Sequence, residues 1–464
     1  MPSVNPFVAI ACGGTGGHLF PGLAVAQALQ RRGCAIALMV SPKEVDQEGV
    51  KAATDMEVVT LPAIALQGGN WLGFIRGSWS SFGICSRRFK QRRLDAVVAM
   101  GGFTSAPPVL AGKCAGSPTF LHESNSIPGR ANRWLARLVD EAFVGFPTAA
   151  PRLRHRSIKV VGTPVRPQIQ PLEPSACRMA LGLDPARPVL LVMGGSQGAS
   201  RLNELLKQSL AELAARVPAL QFLHLTGPND REAVAAAYAE HKRRAVVFPF
   251  LTEMELALGA ATVALSRSGA SSLAEFAAMQ VPSILVPFPS SADDHQFYNA
   301  RAYAETGAAR QLDQHAATPD KLISLILELV ESTKAQADMK AALQRWHSPE
   351  AADQMAAAIL NRINGGPRAA LAQNEQAGGP SQLSPANQAR SRRSREARAS
   401  KSEIGNPRLE MEQSLLAGLF GVAQTLQSAV SPIANRRGFL RVVAIATLQG
   451  KHPAKQETGQ AAPR

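Results

Sequence analysis

The sequence lacks most of the features that would place it outside the cytosol or within a membrane. Aromatic residues are scarce, at 5% of 464, with only four tryptophans and three tyrosines. The five cysteines, at 12, 34, 85, 114 and 177, are scattered and odd in number, with no CxxC pair or zinc spacing among them. That pattern argues against a disulfide framework and for reduced thiols in a cytosolic protein. No run of about twenty strongly apolar residues occurs, so no transmembrane helix is expected. The opening Met1-Pro2-Ser3-Val4-Asn5 has no basic region ahead of its short apolar run, so no signal peptide is expected either. Acidic residues are in deficit: 35 Asp and Glu stand against 50 Lys and Arg, a net charge of +15. Such an excess suggests an anionic partner, which by charge alone is nucleic acid, an acidic membrane surface or a phosphorylated substrate.

What the chain does have is a repeated alternation. Short apolar runs give way to Ala- and Leu-rich helical segments throughout the first 365 residues. Strands are predicted at 7–12, 35–40, 95–100, 118–122 and 158–162, then at 188–194, 221–226, 245–249, 261–265 and 282–287. Strands apolar on both faces are typical of parallel sheets covered by helices, so a doubly wound α/β fold follows. The scheme restarts at Val189–Ala199, after a Pro- and Arg-rich passage over 147–188. A chain of this length exceeds one core, so two nucleotide-scale domains with a working cleft between them are expected. Beyond residue 365 the composition turns to Gly, Pro, Ser, Gln and Arg. Residues 366–464 carry 14 Lys and Arg against 6 Glu, more than half of the net charge. This tail is expected to be disordered.

The stretch Ala11-Cys12-Gly13-Gly14-Thr15-Gly16-Gly17-His18-Leu19-Phe20-Pro21-Gly22 joins a strand to a helix through a glycine turn. Glycines let backbone N–H groups approach a ligand, and a helix N-terminus favours negative charge, so the turn is a candidate anion site. It is neither of the two standard versions. No lysine occupies the P-loop place, and Leu19 stands where the dinucleotide fingerprint needs its third glycine. No acid lies at the tip of the second strand, Met39–Pro42, and Glu44 comes late for a ribose. His18 sits at the helix start, where its charged form is disfavoured. A neutral imidazole there is either a structural residue or a proton acceptor. His122 and Glu123 end another buried strand and either orient a site or close the strand. Trp71, Phe74, Ile75, Trp79 and Phe82 recur at helical spacing among Arg76, Arg87, Arg88 and Lys90. They form either a core face or an apolar patch for an anionic lipid surface.

Six ordered blocks then carry a resemblance: GGTGGHLFPGLAVAQAL, GGFTSAPPVLAG, LHESNSIPGRANRWLAR, VGTPVR, VMGGSQGASRLN and SRSGASSLAEFAAMQVPSILVPFP with DDHQFYNA. Over about residues 7–362 the chain resembles the MurG family of N-acetylglucosaminyltransferases of peptidoglycan synthesis. The resemblance implies the GT-B architecture, two Rossmann-like domains facing a cleft: an acceptor and membrane domain over 1–160 and a UDP-sugar domain over 161–364. The final helix is a candidate to return to the first domain, and 365–464 is the basic tail. It implies an inverting transfer of GlcNAc from UDP-GlcNAc to the muramoyl 4-hydroxyl of undecaprenyl-diphospho-MurNAc-pentapeptide, lipid I, giving lipid II. No cofactor or metal is implied, and no Asp-x-Asp pair is present.

Carried over by position, Thr15, Gly16 and Gly17 contact the donor's sugar side and the acceptor diphosphate. His18 is the candidate general base, with Glu123 next in line. Asn125 contacts the sugar, and Arg166 and Ser196 contact the donor diphosphate and uridine. The backbone of Leu251 meets the uracil. Ala270, Ser271, Ser272, Leu273, Ala274 and Glu275 begin a helix facing phosphate, with Glu275 on the ribose hydroxyls. Gln296 holds sugar hydroxyls. Two positions depart from the family pattern: Ser124 replaces a glutamine and Phe103 a tyrosine. The implied place is peripheral, on the cytoplasmic face of the inner membrane, with lipid I, anionic phospholipid and cell-wall synthesis proteins as partners. Nucleic acid is not expected as a partner. The rival reading is a related GT-B enzyme with another sugar nucleotide or glycolipid acceptor, or a non-catalytic module acting through its tail.

Overall fold

The structure is a computed structural model that describes residues 5–51, 53–63, 70–195 and 198–365. Ser196 and the tail beyond residue 365 lie outside the described residues. The first sheet contains β1 (Phe7–Ala11), β2 (Ala35–Val40), β3 (Glu57–Thr60), β4 (Ala96–Ala99), β5 (Thr119–Glu123), β6 (Glu141–Val144) and β7 (Ile158–Val160). The second contains β8 (Val189–Met193), β9 (Gln221–Leu225), β10 (Ala245–Phe248), β11 (Val263–Ser266), β12 (Ser283–Leu285) and β13 (Arg310–Gln311). Their orders are β3-β2-β1-β4-β5-β6-β7 and β10-β9-β8-β11-β12-β13, and all the pairings are parallel. Both are doubly wound α/β layers of the GT-B kind.

The period-two alternation of each strand explains how one sheet supports two cores. Val8 and Ile10 enter one layer with Leu38, Val40 and Val98. Phe7, Ala9 and Ala11 enter the opposite layer with Met39, Val97 and Ala99. Such strands are apolar throughout because both faces are covered. Three strands carry no such signal. β3 alternates half-buried and exposed residues at an edge, β6 is four residues long behind Asp140, and β13 is a two-residue edge. Sequence periodicity therefore missed all three.

The helices of the first half are α1 (Gly16–Gln30), α2 (Glu44–Gly49), α3 (Trp71–Gln91), α4 (Ala106–Cys114), α5 (Arg130–Leu135) and α6 (Ala150–Leu153). Next come α7 (Pro174–Ala180), α8 (Ser200–Arg216), α9 (Arg231–Glu240), α10 (Met254–Ala260) and α11 (Ala270–Met279). The last four are α12 (His295–Glu305), α13 (Pro319–Glu331), α14 (Thr333–Trp346) and α15 (Ala351–Asn364). Ala352, Met355, Ala356 and Ile359, spaced by three and four, place α15 in the same layer as Val8 and Ile10. The last helix thus packs on α1, where Asp353 pairs with Arg31 and Arg32.

Strand order reverses beside β1 and again beside β8. In open α/β sheets the crevice at the carboxyl ends of such strands is where ligands bind. The glycine turn after β1 opens there, and α1 meets α11 of the second half across the crevice.

Candidate active site

The turn after β1 is fastened by the segment that follows β2. A Cβ on Gly13 would lie 2.4 Å from the Ser41 backbone nitrogen, so the two chains approach too closely for any other residue. The Gly14 N–H donates to Asp46 Oδ2 at 2.6 Å, and Lys43 Nζ donates to the Gly14 carbonyl at 3.0 Å. The same Asp46 oxygen accepts from the Ser41 N–H at 3.0 Å and the Ser41 hydroxyl at 2.5 Å. Asp46 is fully buried. The acid that a dinucleotide fold would spend on a ribose is spent here on the turn's own amide. Neither Asp46 nor Lys43 was legible from the sequence, because the signal sought there was an acid at the strand tip.

His18 is held between this turn and a second one after β4. Its ring lies so close to Gly101 and Gly102 that a Cβ on either would fall within 3.1 Å of it. Thr104 Oγ1 donates to the Gly13 carbonyl at 2.7 Å, locking the two turns together. His18 Nδ1 and Thr15 Oγ1 are 3.1 Å apart. With Nδ1 protonated it donates to Thr15, leaving Nε2 as an acceptor. Burial lowers the His18 pKa to about 4 against the opposing charge of Asp46, with His295 and Lys43 adding to the fall. The imidazole is therefore neutral at pH 7. The Phe103 ring covers Gly14 and receives Lys43 Nζ 5.3 Å from its centroid.

At the end of β5, Glu123 organises a loop. Its Oε1 accepts from the Asn125 N–H at 2.8 Å and Asn125 Nδ2 at 3.1 Å. Its Oε2 accepts from the Gly129 N–H at 2.9 Å and Asn132 Nδ2 at 2.8 Å. Burial raises its pKa, against these four donors. About four lone-pair sites on a carboxylate match these four internal donors, so Glu123, expected as the second candidate base, fastens the loop between β5 and α5. His122 is likewise internal: Nε2 lies 2.9 Å from the Gly162 carbonyl and Nδ1 3.2 Å from the hydroxyl of Ser124.

Across the crevice, Arg166 stands between the halves. Its guanidinium lies 4.3 Å over the Phe20 ring of α1, and Nη2 is 3.6 Å from Glu275 Oε1 of α11. Both side chains of this pair are about nine-tenths buried, and Arg166 Nε and Nη2 make no hydrogen bond among the described residues. Burial pushes the Glu275 pKa up to about 6 despite the guanidinium. Gly269 precedes α11, whose first residues run Ala270, Ser271 and Ser272, with Leu273 and Ala274 packed inward. Gln296 Oε1 accepts the Phe288 N–H at 3.0 Å, and Leu251 packs half-buried against the second core.

The halves are also joined directly. Ser126 of the first donates to Asn299 Oδ1 at 2.9 Å, while Arg130 and Arg133 both reach Asp293, the former at 3.1 Å. Outside the crevice, α3 buries Gly77, Ser78, Ser81, Cys85 and Phe89, and turns Trp71, Leu72, Ile75 and Trp79 outward. The aromatic stripe is thus not one core face. Phe82 alone packs against the layer beneath, and Arg88 is engaged by Glu57 at 2.6 Å.

Among the described residues no helix is long and apolar enough to cross a membrane, and no cluster of three or more His, Cys, Asp or Glu is arranged to hold a metal. Residues 8–144 match the glycosyltransferase family 28 N-terminal domain, and residues 189–355 match the glycosyltransferase family 28 C-terminal domain. The UDP-N-acetylglucosamine--N-acetylmuramyl-(pentapeptide) pyrophosphoryl-undecaprenol N-acetylglucosamine transferase of Acidithiobacillus ferrooxidans is 37% identical over 370 residues, 77% of this chain and 98% of its own length. The protein of that name from Synechocystis sp. is 34% identical over 354 residues, 75% of this chain and 96% of its own. The crystal structure of Acinetobacter baumannii MurG aligns with a TM-score of 0.59 at 27% identity, covering 77% of this chain and 99% of that one. A putative UDP-N-acetylglucosamine 2-epimerase from Listeria monocytogenes, at 14% identity and a TM-score of 0.60, shares the fold alone. With both domains matched and relatives this similar along most of their length, the chain belongs to glycosyltransferase family 28 and, within it, to the MurG family of N-acetylglucosaminyltransferases.

Proposed function

We propose that the chain transfers N-acetylglucosamine from UDP-N-acetylglucosamine to the muramoyl 4-hydroxyl of lipid I, giving lipid II, with inversion at the anomeric carbon. The observation that carries this reading is the pairing of two helix starts across one crevice, with a neutral histidine on one side and an underfilled Arg166–Glu275 pair on the other. The acceptor oxygen bonds to the anomeric carbon as the bond to the diphosphate oxygen breaks, and UDP leaves with that electron pair. The hydroxyl proton passes to His18 Nε2. Charge develops on the diphosphate, where the α11 amides and the Arg166 N–H groups that make no hydrogen bond among the described residues meet it. Thr15, Gly16 and Gly17 serve the donor's sugar side and the acceptor diphosphate. Glu275 holds the ribose, while Asn125 and Gln296 meet the sugar, Ser196 the donor diphosphate and Leu251 the uracil. The division into 1–160 and 161–364 belongs to the same reading, as does a tail that catalysis does not need. The exposed Trp71, Leu72, Ile75 and Trp79, with Arg76 and Arg87, supply an apolar and basic face for anionic phospholipid on the cytoplasmic side of the membrane.

The test is release of UDP from UDP-N-acetylglucosamine with and without a lipid I analogue, in the full chain and in a chain ended at residue 365. Release that depends on the acceptor and survives the deletion is expected. Release independent of the acceptor, or lost with the tail, rejects the reading.

A further inference from the structure

Asn299 of α12 is fully buried, yet its amide touches both halves of the molecule. The Ser126 backbone N–H can only donate, so the atom it meets at 2.9 Å must be the Asn299 oxygen. The Ser268 carbonyl can only accept, so the atom 3.2 Å from it is the Asn299 nitrogen. Two backbone groups from opposite sides of the crevice thereby fix this amide in one orientation. Its Nδ2 then donates at 3.0 Å to Asn125, whose facing atom is consequently its oxygen. Asn125 Nδ2 in turn donates to Glu123 Oε1 at 3.1 Å. The chain of donors runs from the Ser126 N–H through Asn299 to Asn125 and ends on Glu123 as acceptor, so neither amide can flip without setting two like groups against each other.

From this we infer that Asn299 is a positioning residue for donor-sugar recognition. It holds Asn125 with one side-chain N–H and one oxygen lone pair that have no partner among the described residues, a combination that suits a single sugar hydroxyl accepting and donating at once. Because the amide is anchored on both halves, that presentation exists only with the halves together. Sugar recognition is therefore tied to closure of the crevice, and Arg130 and Arg133 on Asp293 hold the same seam. The inference rests on the proposed transferase reading, in which Asn125 meets the sugar.

The test uses the full chain, titrated with UDP and with UDP-N-acetylglucosamine, and compares kcat/KM for that donor and its C4 epimer. Asn299→Asp keeps the size of the side chain and the acceptor for Ser126 but removes both donors. UDP affinity is expected to stay within about twofold, while affinity for the sugar nucleotide and discrimination against the epimer each fall about tenfold. In an Asn125→Ala background the same substitution should add nothing, since both act through one partner. Equal losses for UDP and UDP-sugar, or additive losses in the double variant, overturn the inference. Should Asn299→Asp fail to give a folded melting transition, Asn125→Ala decides alone: unchanged epimer discrimination in that variant overturns it. A parent protein that binds no UDP overturns the transferase reading, and this inference with it.

Discussion

The two halves of the crevice use their buried acids in opposite ways. On the first half, Glu123 is filled by the protein's own donors, among them Asn125 and Gly129, and one oxygen of Asp46 holds Gly14 and Ser41 while its Oδ1 makes no hydrogen bond among the described residues. On the second, Glu275 faces the Arg166 Nη2 3.6 Å away as an ion pair, and neither that nitrogen nor Nε makes a hydrogen bond among the described residues. One side is rigidly built before any substrate arrives, and the other keeps desolvated charge in reserve. Preorganisation of the first kind costs no reorganisation when charge develops in the reaction. Reserve of the second kind is unfavourable without ligand, because a buried pair at that separation only partly offsets its desolvation. The difference suits an enzyme whose acceptor turn must be exact in shape and whose donor site must be filled to become comfortable.

Breaking the prebuilt side should have the largest effect. His18→Ala should lower kcat by about 10²–10⁴ and leave UDP affinity within about twofold, since the imidazole acts on the acceptor hydroxyl. Its depressed pKa, about 4, fixes the sign of the pH dependence. Activity is supported above that value and lost as pH falls through it, and this limb should be absent from the variant. Near-full turnover in His18→Ala would move the base elsewhere. Asp46→Ala comes next. It leaves the Gly14 and Ser41 amides without an acceptor, so kcat should fall about tenfold to a hundredfold and the melting temperature should drop by several degrees. A variant with normal kcat and acceptor KM would show that the turn keeps its shape without the carboxylate.

The reserve side should respond more gently and mainly in binding. Glu275→Ala removes the ribose acceptor and should weaken UDP-N-acetylglucosamine binding about tenfold. In the free protein the carboxyl titrates near 6, raised by burial. A ribose hydroxyl donates best to the ionised form, so affinity should be full above pH 6 and decline as the carboxyl protonates below it. The sugar nucleotide is the right probe, because its diphosphate diester has no second ionisation in that range. Calorimetry at pH 5 and 7.5 reads the change, and Glu275→Gln should show no difference between the two.

How much of this could be read from the sequence follows the same division. The two sheets, their parallel order and the glycine turns announce themselves, because strands buried on both faces must be apolar and a turn that nears another backbone must be glycine. β3 and β13 escape because edge strands have no buried pair of faces to leave a pattern. His18, Arg166 and Glu275 stand out within blocks of resemblance. Asp46 and Lys43 lie outside those blocks, and Asn299 lies within DDHQFYNA without marking its task, since each acts through a contact with residues distant in the chain: Asp46 with Gly14, Lys43 with Gly14, Asn299 with Asn125. The helix α3 shows a third kind of limit. Helical spacing of aromatics says that they share a stripe, but only the packed structure shows that Trp71, Ile75 and Trp79 face outward while Phe82 packs inward.

The smallest effect on chemistry should come from that outward stripe. Trp79 is 50% exposed, and its ring leans on Phe82 with centroids 6.0 Å apart. Half of the indole is thus free to enter a headgroup layer, while the other half already packs. Burying the free part contributes about 2 kcal/mol at the usual area coefficient, or roughly tenfold to thirtyfold in partitioning. Trp79→Ser should therefore release the protein from anionic vesicles by about that factor in a sedimentation assay. Turnover of a soluble, short-chain acceptor should remain nearly unchanged, because Trp79 is none of the residues assigned to the crevice and half of it faces solvent. Added salt should weaken the binding of both proteins, through Arg76 and Arg87, without removing the difference between them. Equal vesicle binding by parent and variant would assign the membrane contact to another surface. A loss of soluble-acceptor turnover would instead show that α3 helps to hold the acceptor site in shape.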